Sequence, residues 1–364
     1  MLIDGHVHYD YSGDPKKLLE VLKITNCDYL CLESQIHSKK INQNFDVFYA
    51  KSMCKGKVYI DIALDLYLYY HQDRMNEMPK YIEAMLECGA DGVKMIEGKP
   101  TERKMFPIPN FDDLVYDATF DYLEKKQIPI TWHVNDPEEF WDEAKVPHWA
   151  KRSGWFYADG TFVNNIDQYR QIEALLERHP KLNITFAHFF FLSNDLNHLS
   201  YLFDKYPNIS VDITPGIELF TNMSKNIIEA KVFFKKYSNR ILYGTDISVD
   251  QWEKDQLNKE DAITRKTLCH DFLSKDEVFI KGDANGLLGS EDLNINGLGL
   301  SEEEVIKIEY QNFIDRYHNI KELNINKILD EITIHKNKLK EMNLDYQYLE
   351  EIEKHFKKCL INKP

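Results

Sequence analysis

Long apolar runs are missing from these 364 residues. No stretch approaches the roughly 18 to 20 consecutive apolar residues that a membrane-crossing helix needs. The N-terminus has neither a basic flank nor a signal-type apolar segment, so no leader and a cytoplasmic location are expected. Basic charge is also short. Lysine and arginine number 45 against 60 acidic residues, a formal net charge of −15, which argues against nucleic-acid binding and against docking on an anionic membrane face. Cysteine is scattered: Cys27, Cys31, Cys54, Cys88, Cys269 and Cys359 form no Cys-x-x-Cys pair and are expected as free thiols in a reducing compartment. Internal repeats and low-complexity tracts are absent. No Gly-x-Gly-x-x-Gly follows the first apolar segment, which counts against an open dinucleotide-binding sheet.

What is present is an alternation of strand and helix patterns. Apolar strand-like runs are expected at the first eight residues, 28–33, 58–64, 92–96, 128–134, 184–188, 209–213 and 241–246. Helical patterns separate them, among them 79–88 ending at Gly89, 111–126, 165–178, 195–205 and 224–237. Eight strands alternating with helices predict an α/β fold of the (β/α)8 TIM-barrel type. A chain of 43.0 kDa suits such a barrel with additions. One addition is the connection 135–165 after the fifth strand, which carries Phe140, Trp141, Trp149, Trp155, Phe156 and Tyr157. It reads as a lid or substrate wall, or else as a small packed subdomain. The other is a C-terminal helical extension over 319–364, following a barrel domain over 1–318. Ile325, Ile328, Leu329, Ile332 and then Leu349, Ile352, Phe356, Leu360 recur at helical spacing. That apolar face must be covered by the barrel or at a subunit contact, which leaves a homodimer open. Ser301-Glu302-Glu303-Glu304 is a capping box for the helix that closes the barrel.

Chemistry-bearing residues fall at the ends of these strands. His6 and His8, spaced i, i+2, point to one side of a strand. His133, His188 and Asp246 lie at the ends of the fifth, sixth and eighth strands, and Lys94 lies on the fourth. In a parallel barrel those ends share one mouth. A single histidine on an apolar strand is more often a hydrogen-bonded core residue than a ligand; the joint placement is what points to a site. Three imidazoles and a carboxylate suit Zn²⁺ or a similar divalent ion.

The stretches Ile3-Asp4-Gly5-His6-Val7-His8, Ile130-Thr131-Trp132-His133, Phe186-Ala187-His188 and Leu242-Tyr243-Gly244-Thr245-Asp246 together resemble the amidohydrolase superfamily. More narrowly they resemble its amidohydrolase 2 branch, which holds mononuclear hydrolases and non-oxidative decarboxylases related to aminocarboxymuconate-semialdehyde decarboxylase. Gly299-Leu300-Ser301-Glu302-Glu303 with Tyr310-Gln311-Asn312-Phe313 is similar to the family's closing helix, so the likeness runs over about residues 1–318. The resemblance implies a divalent metal, zinc foremost, on His6, His8, His133 and Asp246. It implies His188 beside the attacking water or the substrate, and Asp246 as the group that takes a proton from that water and returns it to the leaving group. Lys94 is implied either as a carboxylated bridge between two metals or as a substrate-binding or ion-paired lysine, with Glu97 as a partner. The implied activity is hydrolysis of an amide, ester or lactone in a small molecule. Decarboxylation at the same site is the alternative, and a non-catalytic barrel is the reading left if no metal binds. His148, Arg152, Trp141 and Trp155 in the aromatic connection are candidate substrate contacts. Asp65, Asp212 and Glu218 are read as solvated loop carboxylates.

Overall fold

In a computed structural model, which describes residues 1–10, 14–249, 257–282 and 292–361, one parallel sheet organises the chain. Its strands are β1 (Ile3–His8), β2 (Tyr29–Glu33), β3 (Val58–Ala63), β4 (Gly92–Gly98), β5 (Ile130–Val134), β6 (Ile184–Phe186), β7 (Ser210–Asp212), β8 (Ile241–Leu242) and β9 (Ile247–Ser248). They lie in the order β8-β7-β6-β5-β4-β3-β2-β1-β9. Every residue of β3, β4 and β5 is buried, as expected of strands covered on both faces.

The sheet curls until its two edges are consecutive pieces of one segment. Leu242 pairs with Asp212 on one side, and Val7 pairs with Ile247 on the other. Between these pairs the Gly5 N–H donates to the Tyr243 carbonyl at 3.0 Å and the Asp246 N–H to the His6 carbonyl at 2.9 Å. The expected single strand 241–246 is therefore broken at its site end. A Cβ on Gly244 would come within 2.8 Å of the His6 Cβ, so only glycine lets the segment pass this close to β1. Asp246 then turns with φ +58°, which aims its carboxylate at the histidines instead of continuing the ladder.

The helices follow their signals. Helix Asn165–Arg178 starts where the Asn164 side chain accepts the Ile166 N–H, and it buries Ile172, Leu175 and Leu176. Helix Met78–Cys88 ends at Gly89 with φ +111°, where any Cβ would strike the Glu322 carbonyl. The capping box at Ser301 is formed in full. Two expectations are corrected. The helix expected over 224–237 is two, Ile217–Lys225 and Ile227–Lys236, separated at Asn226. The one expected over 111–126 begins as a tight turn, Leu114–Tyr116, before helix Asp117–Lys126.

Helices Ile325–Glu341 and Gln347–Ile361 pack on each other and on helices Met78–Cys88 and Asn44–Met53. Ile328, Ile332, Leu339, Leu349, Ile352 and Phe356 are fully buried there. At about 1.5–3 kcal/mol each, that is on the order of 10 kcal/mol of gross apolar burial. The tail's apolar face is thus covered within one chain. All six cysteines are free, and no helix among the described residues is long and apolar enough to cross a membrane.

Candidate metal centre and cavity

β1 delivers His6 and His8 side by side, their ring centroids 5.2 Å apart. The hydrogen bonds of each ring fix which nitrogen is left for a ligand. His6 Nδ1 lies 2.9 Å from Asp212 Oδ2. The Asp212 carboxylate only accepts, so Nδ1 carries the proton and Nε2 keeps a lone pair, which accepts from the Lys94 ammonium at 3.0 Å. His8 Nδ1 lies 3.1 Å from the Glu33 carbonyl and 3.3 Å from Gln35 Nε2; a proton on Nδ1 toward the carbonyl leaves Nε2 as the nitrogen available to a ligand. That nitrogen sits 3.0 Å from Asp246 Oδ1, and His6 Nε2 sits 3.8 Å from the same oxygen. A proton on His8 satisfies the shorter contact as a hydrogen bond, and a divalent ion would bridge the same atoms. Tetrahedral ligands held at about 2.0–2.1 Å from zinc stand about 3.3–3.4 Å apart, and the two distances straddle that value. His6, His8 and Asp246 place one donor each within 4.8 Å of one another, so this donor set fits a divalent ion.

The two remaining histidines stand across the cavity. His133 Nε2 is 2.9 Å from the Asn135 carbonyl and 3.4 Å from Asp136 Oδ1, which leaves Nδ1 free. Burial, reinforced by the Lys99 ammonium, pushes its pKa down to about 4. His188 is held well below the ordinary histidine value by burial and by neighbouring His133. Both rings are therefore neutral at pH 7. Their centroids lie 4.8 Å apart, and His188 is 5.5 Å from His6. His133 is outside the three-residue donor group whose atoms lie within 4.8 Å of one another.

His188 does not close β6, which ends at Phe186. It opens a left-handed turn in which His188, Phe189, Phe190 and Phe191 all have φ between +51° and +58°. Such residues cost about 1–2 kcal/mol each, on the order of 4–8 kcal/mol for the four. The offsets are specific. Asp212 Oδ1 accepts the His188 N–H at 2.8 Å, Tyr169 donates to the Phe190 carbonyl at 3.0 Å, and Phe190 stacks on Phe186 at 4.0 Å. One carboxylate thus holds His6 and the backbone of His188 together. Burial works against the charge on Asp212, but its hydrogen bond to His6 and the nearby imidazoles outweigh burial and keep its pKa well below the usual range.

Lys94 is fully buried behind His6. Its ammonium lies 3.0 Å from His6 Nε2 and 3.2 Å from Glu33 Oε2. Glu33, not Glu97, is its partner; Glu97 instead accepts from Tyr69 at 3.2 Å. Glu33 was missed because a strand-end carboxylate reads as solvated. The available signal was its spacing of two from Cys31 in an apolar run, which turns it into the barrel and so demands a buried counter-charge.

The reading of Asp65, Asp212 and Glu218 as solvated is overturned. Asp65 and Asp212 are buried; Asp65 caps helix Leu66–Tyr70 and is ion-paired with Lys338. Glu218 lines the cavity, and burial raises its carboxyl to about 7. His148 and Arg152, on the short helix His148–Arg152, are exposed and do not line the cavity, and Trp141 is turned away to the Val163 carbonyl at 3.0 Å. Trp155 does line it, with Trp149 and Phe140. In the aromatic connection Phe140, Val146, Ala150 and Tyr157 form their own apolar cluster, and Phe140 also lines a cavity of about 650 Å³.

A parallel α/β scaffold carrying imidazoles and a carboxylate at its C-terminal strand ends, open to one cavity, is the class that fold and site define. No family model matches the chain, and no curated protein matches it in sequence. Among solved structures it is similar to one described as amidohydrolase II, with a TM-score of 0.52 at 14% identity over 87% of this chain and 99% of that one. A protein from Staphylococcus aureus described as an amidohydrolase gives the same values. One from Acinetobacter baumannii, described as a 2-pyrone-4,6-dicarboxylic acid hydrolase with citric acid bound, gives a TM-score of 0.50 at 12% identity over 87% and 98%. At these identities the likeness is one of fold.

Proposed function

We propose that the protein is a metal-dependent hydrolase of the amidohydrolase type, acting on a C–N or C–O bond of a small polar substrate. The observation that carries this reading is the convergence of His6 Nε2, His8 Nε2 and Asp246 Oδ1 at the cavity floor, one donor atom from each within 4.8 Å of the others. The shared fold with proteins described as amidohydrolases supports it. The architecture that goes with it is a closed (β/α)8 barrel over 1–318, joined through segment 241–248, with the long aromatic connection as cavity wall and 319–364 as a helical extension.

His6, His8 and Asp246 would hold the ion, with His133 as the fourth donor through the nitrogen that Asn135 leaves free; zinc is the ion this donor set suits best. When bound, such an ion polarises the scissile group and brings the pKa of water towards ~7. Asp246 takes the proton of the attacking water and returns it to the leaving group, a transfer typically worth about a hundred- to ten-thousandfold. His188, neutral and locked by its turn, hydrogen-bonds the substrate oxygen. Trp149, Trp155 and Phe140 exclude bulk water, which strengthens every polar contact inside. The reading takes one ion. A carbamate on Lys94 would set a second negative charge against buried Glu33, where an ammonium now neutralises it.

Protein purified without chelator should hold about one equivalent of metal per chain, and His6→Ala or His8→Ala should lose it while keeping the wild-type circular dichroism. A screen of lactones, esters and amides, with CO₂ release followed separately, should give acid release without CO₂. Metal-free protein with no hydrolysis after zinc is added would sink the reading.

A further inference from the structure

The cavity's charge is lopsided. Among its described lining residues six carry carboxyls and two carry cationic groups. Neither cation is free to meet an anion. Lys99 Nζ lies 3.5 Å from Asp136 Oδ1 and 4.6 Å from the centre of the Trp155 ring. Arg265 donates to Asp261 at 2.7 Å and to the Thr245 carbonyl at 3.3 Å, and it is only 6% exposed. Of the carboxylates, Asp10 is answered by Lys40 at 3.1 Å, and Asp246 belongs to the metal set. Glu102, which shares the Lys99 ammonium with Asp136, and Glu218, which no cation among the described residues answers, line the cavity with the aromatic wall. Burial raises both carboxyls, against the pull of the Lys99 ammonium on Glu102 and with the added repulsion of Glu139 and Asp136 on Glu218. A substrate carboxylate entering here would face this acidic end with no unpaired cation. A hydroxyl or ammonium would meet carboxylate acceptors and a flat indole face.

Resting on the hydrolase reading, we infer that the aromatic end of the cavity selects substrates that carry hydrogen-bond donors and no negative charge, and that Glu102 and Glu218 set this preference. The site thereby disfavours substrates that carry a carboxylate at the end remote from the metal group.

Three matched probes test the inference: benzohydroxamic acids bearing a 4-aminomethyl, 4-hydroxymethyl or 4-carboxy group. All present the same metal-binding head, and only the far end differs. Titrated calorimetrically into zinc-loaded protein, the aminomethyl and hydroxymethyl probes should bind at least about tenfold more tightly than the carboxy probe. The double variant Glu102→Gln/Glu218→Gln should shrink that ratio to about threefold or less, by tightening the carboxy probe. Equal or tighter binding of the carboxy probe to the wild type overturns the inference. So does a ratio unmoved in the double variant, or no binding of any probe to protein that demonstrably holds zinc. Failure to load zinc at all is a different outcome, and it overturns the hydrolase reading itself.

Discussion

Replacing Asp212 by Asn changes one atom's chemistry at the point where two site histidines are tied together, and its effect can be followed bond by bond. Asp212 Oδ1 accepts from the backbone N–H groups of His188 at 2.8 Å and Thr214 at 3.1 Å. The asparagine oxygen must stay with those two donors, because the reverse orientation would set an NH₂ against both. The NH₂ therefore faces His6 Nδ1, now 2.9 Å from an acceptor oxygen. A proton on Nδ1 would clash with it, so His6 moves its proton to Nε2. That removes the lone pair the metal needs and points an N–H at the Lys94 ammonium 3.0 Å away. Outer-shell changes of this kind typically weaken metal binding about 10- to 100-fold, or about 1.4–2.7 kcal/mol. The assay is zinc titration against a competing fluorescent chelator, with circular dichroism to confirm the fold. A folded Asp212→Asn protein binding zinc within about threefold of the wild type would refute the tautomer argument.

Three further outcomes follow from other parts of the molecule. Lys94→Met leaves the buried Glu33 carboxylate without its counter-charge and should cost about 3–5 kcal/mol in urea unfolding, most of it regained in Lys94→Met/Glu33→Gln; equal losses in both variants would contradict the pairing. His335, buried on the Lys40 carbonyl at 2.9 Å, has its pKa lowered to about 4, first by burial, with Asp65 and Lys338 acting in opposite directions. Its folded pKa lies below its unfolded value, so its neutral form contributes stability that is present above about pH 6.5 and lost as pH falls towards 4, about 3 kcal/mol in all. His335→Gln should flatten that part of the stability-against-pH curve, and an unchanged slope would exclude the residue as its source. In the left-handed turn, Phe191→Gly relieves about 1 kcal/mol of strain but loses a half-buried ring stacked on His188, so it should change stability by less than about 1 kcal/mol. Phe190→Gly loses the ring stacked on Phe186 and should cost about 3 kcal/mol; similar losses at both positions would remove the strain account.

The parts of the fold legible in the sequence are those that obey one local rule at a time. Val58–Ala63 and Gly92–Gly98 are apolar because both their faces are covered, and Gly89 ends a helix because its backbone must turn left-handed against Glu322. Helix Asn165–Arg178 has the bounds its sequence pattern predicts. The site was legible as a set of strand ends, because a parallel sheet brings such ends to one mouth whatever the intervening helices do. That argument fixes which mouth a residue faces. It does not fix distance, and so it could not separate His6, His8 and Asp246, whose donors gather within 4.8 Å, from His133, which lies outside that group.

The illegible parts are those where tertiary contacts override local preference. Nothing in Ala187-His188-Phe189-Phe190-Phe191 announces a left-handed turn; glycine or asparagine would have, and aromatic residues read as strand. The turn exists because Asp212, 24 residues on, accepts the His188 N–H, and because the rings of Phe189 and Phe190 are worth more buried than their backbone strain costs. Asp212 in turn looked like a loop carboxylate, since its role depends on two partners distant in sequence, His6 and His188. The same logic hid the cavity's polarity. Lys99 and Arg265 count as free positive charges in a composition, and only their contacts with Asp136 and Asp261 remove them from the balance a substrate would meet. Local sequence therefore names the groups that carry the chemistry. The pairing of charges across strands decides which of those groups are available, and for this chain it leaves an acidic cavity with a cation-seeking floor.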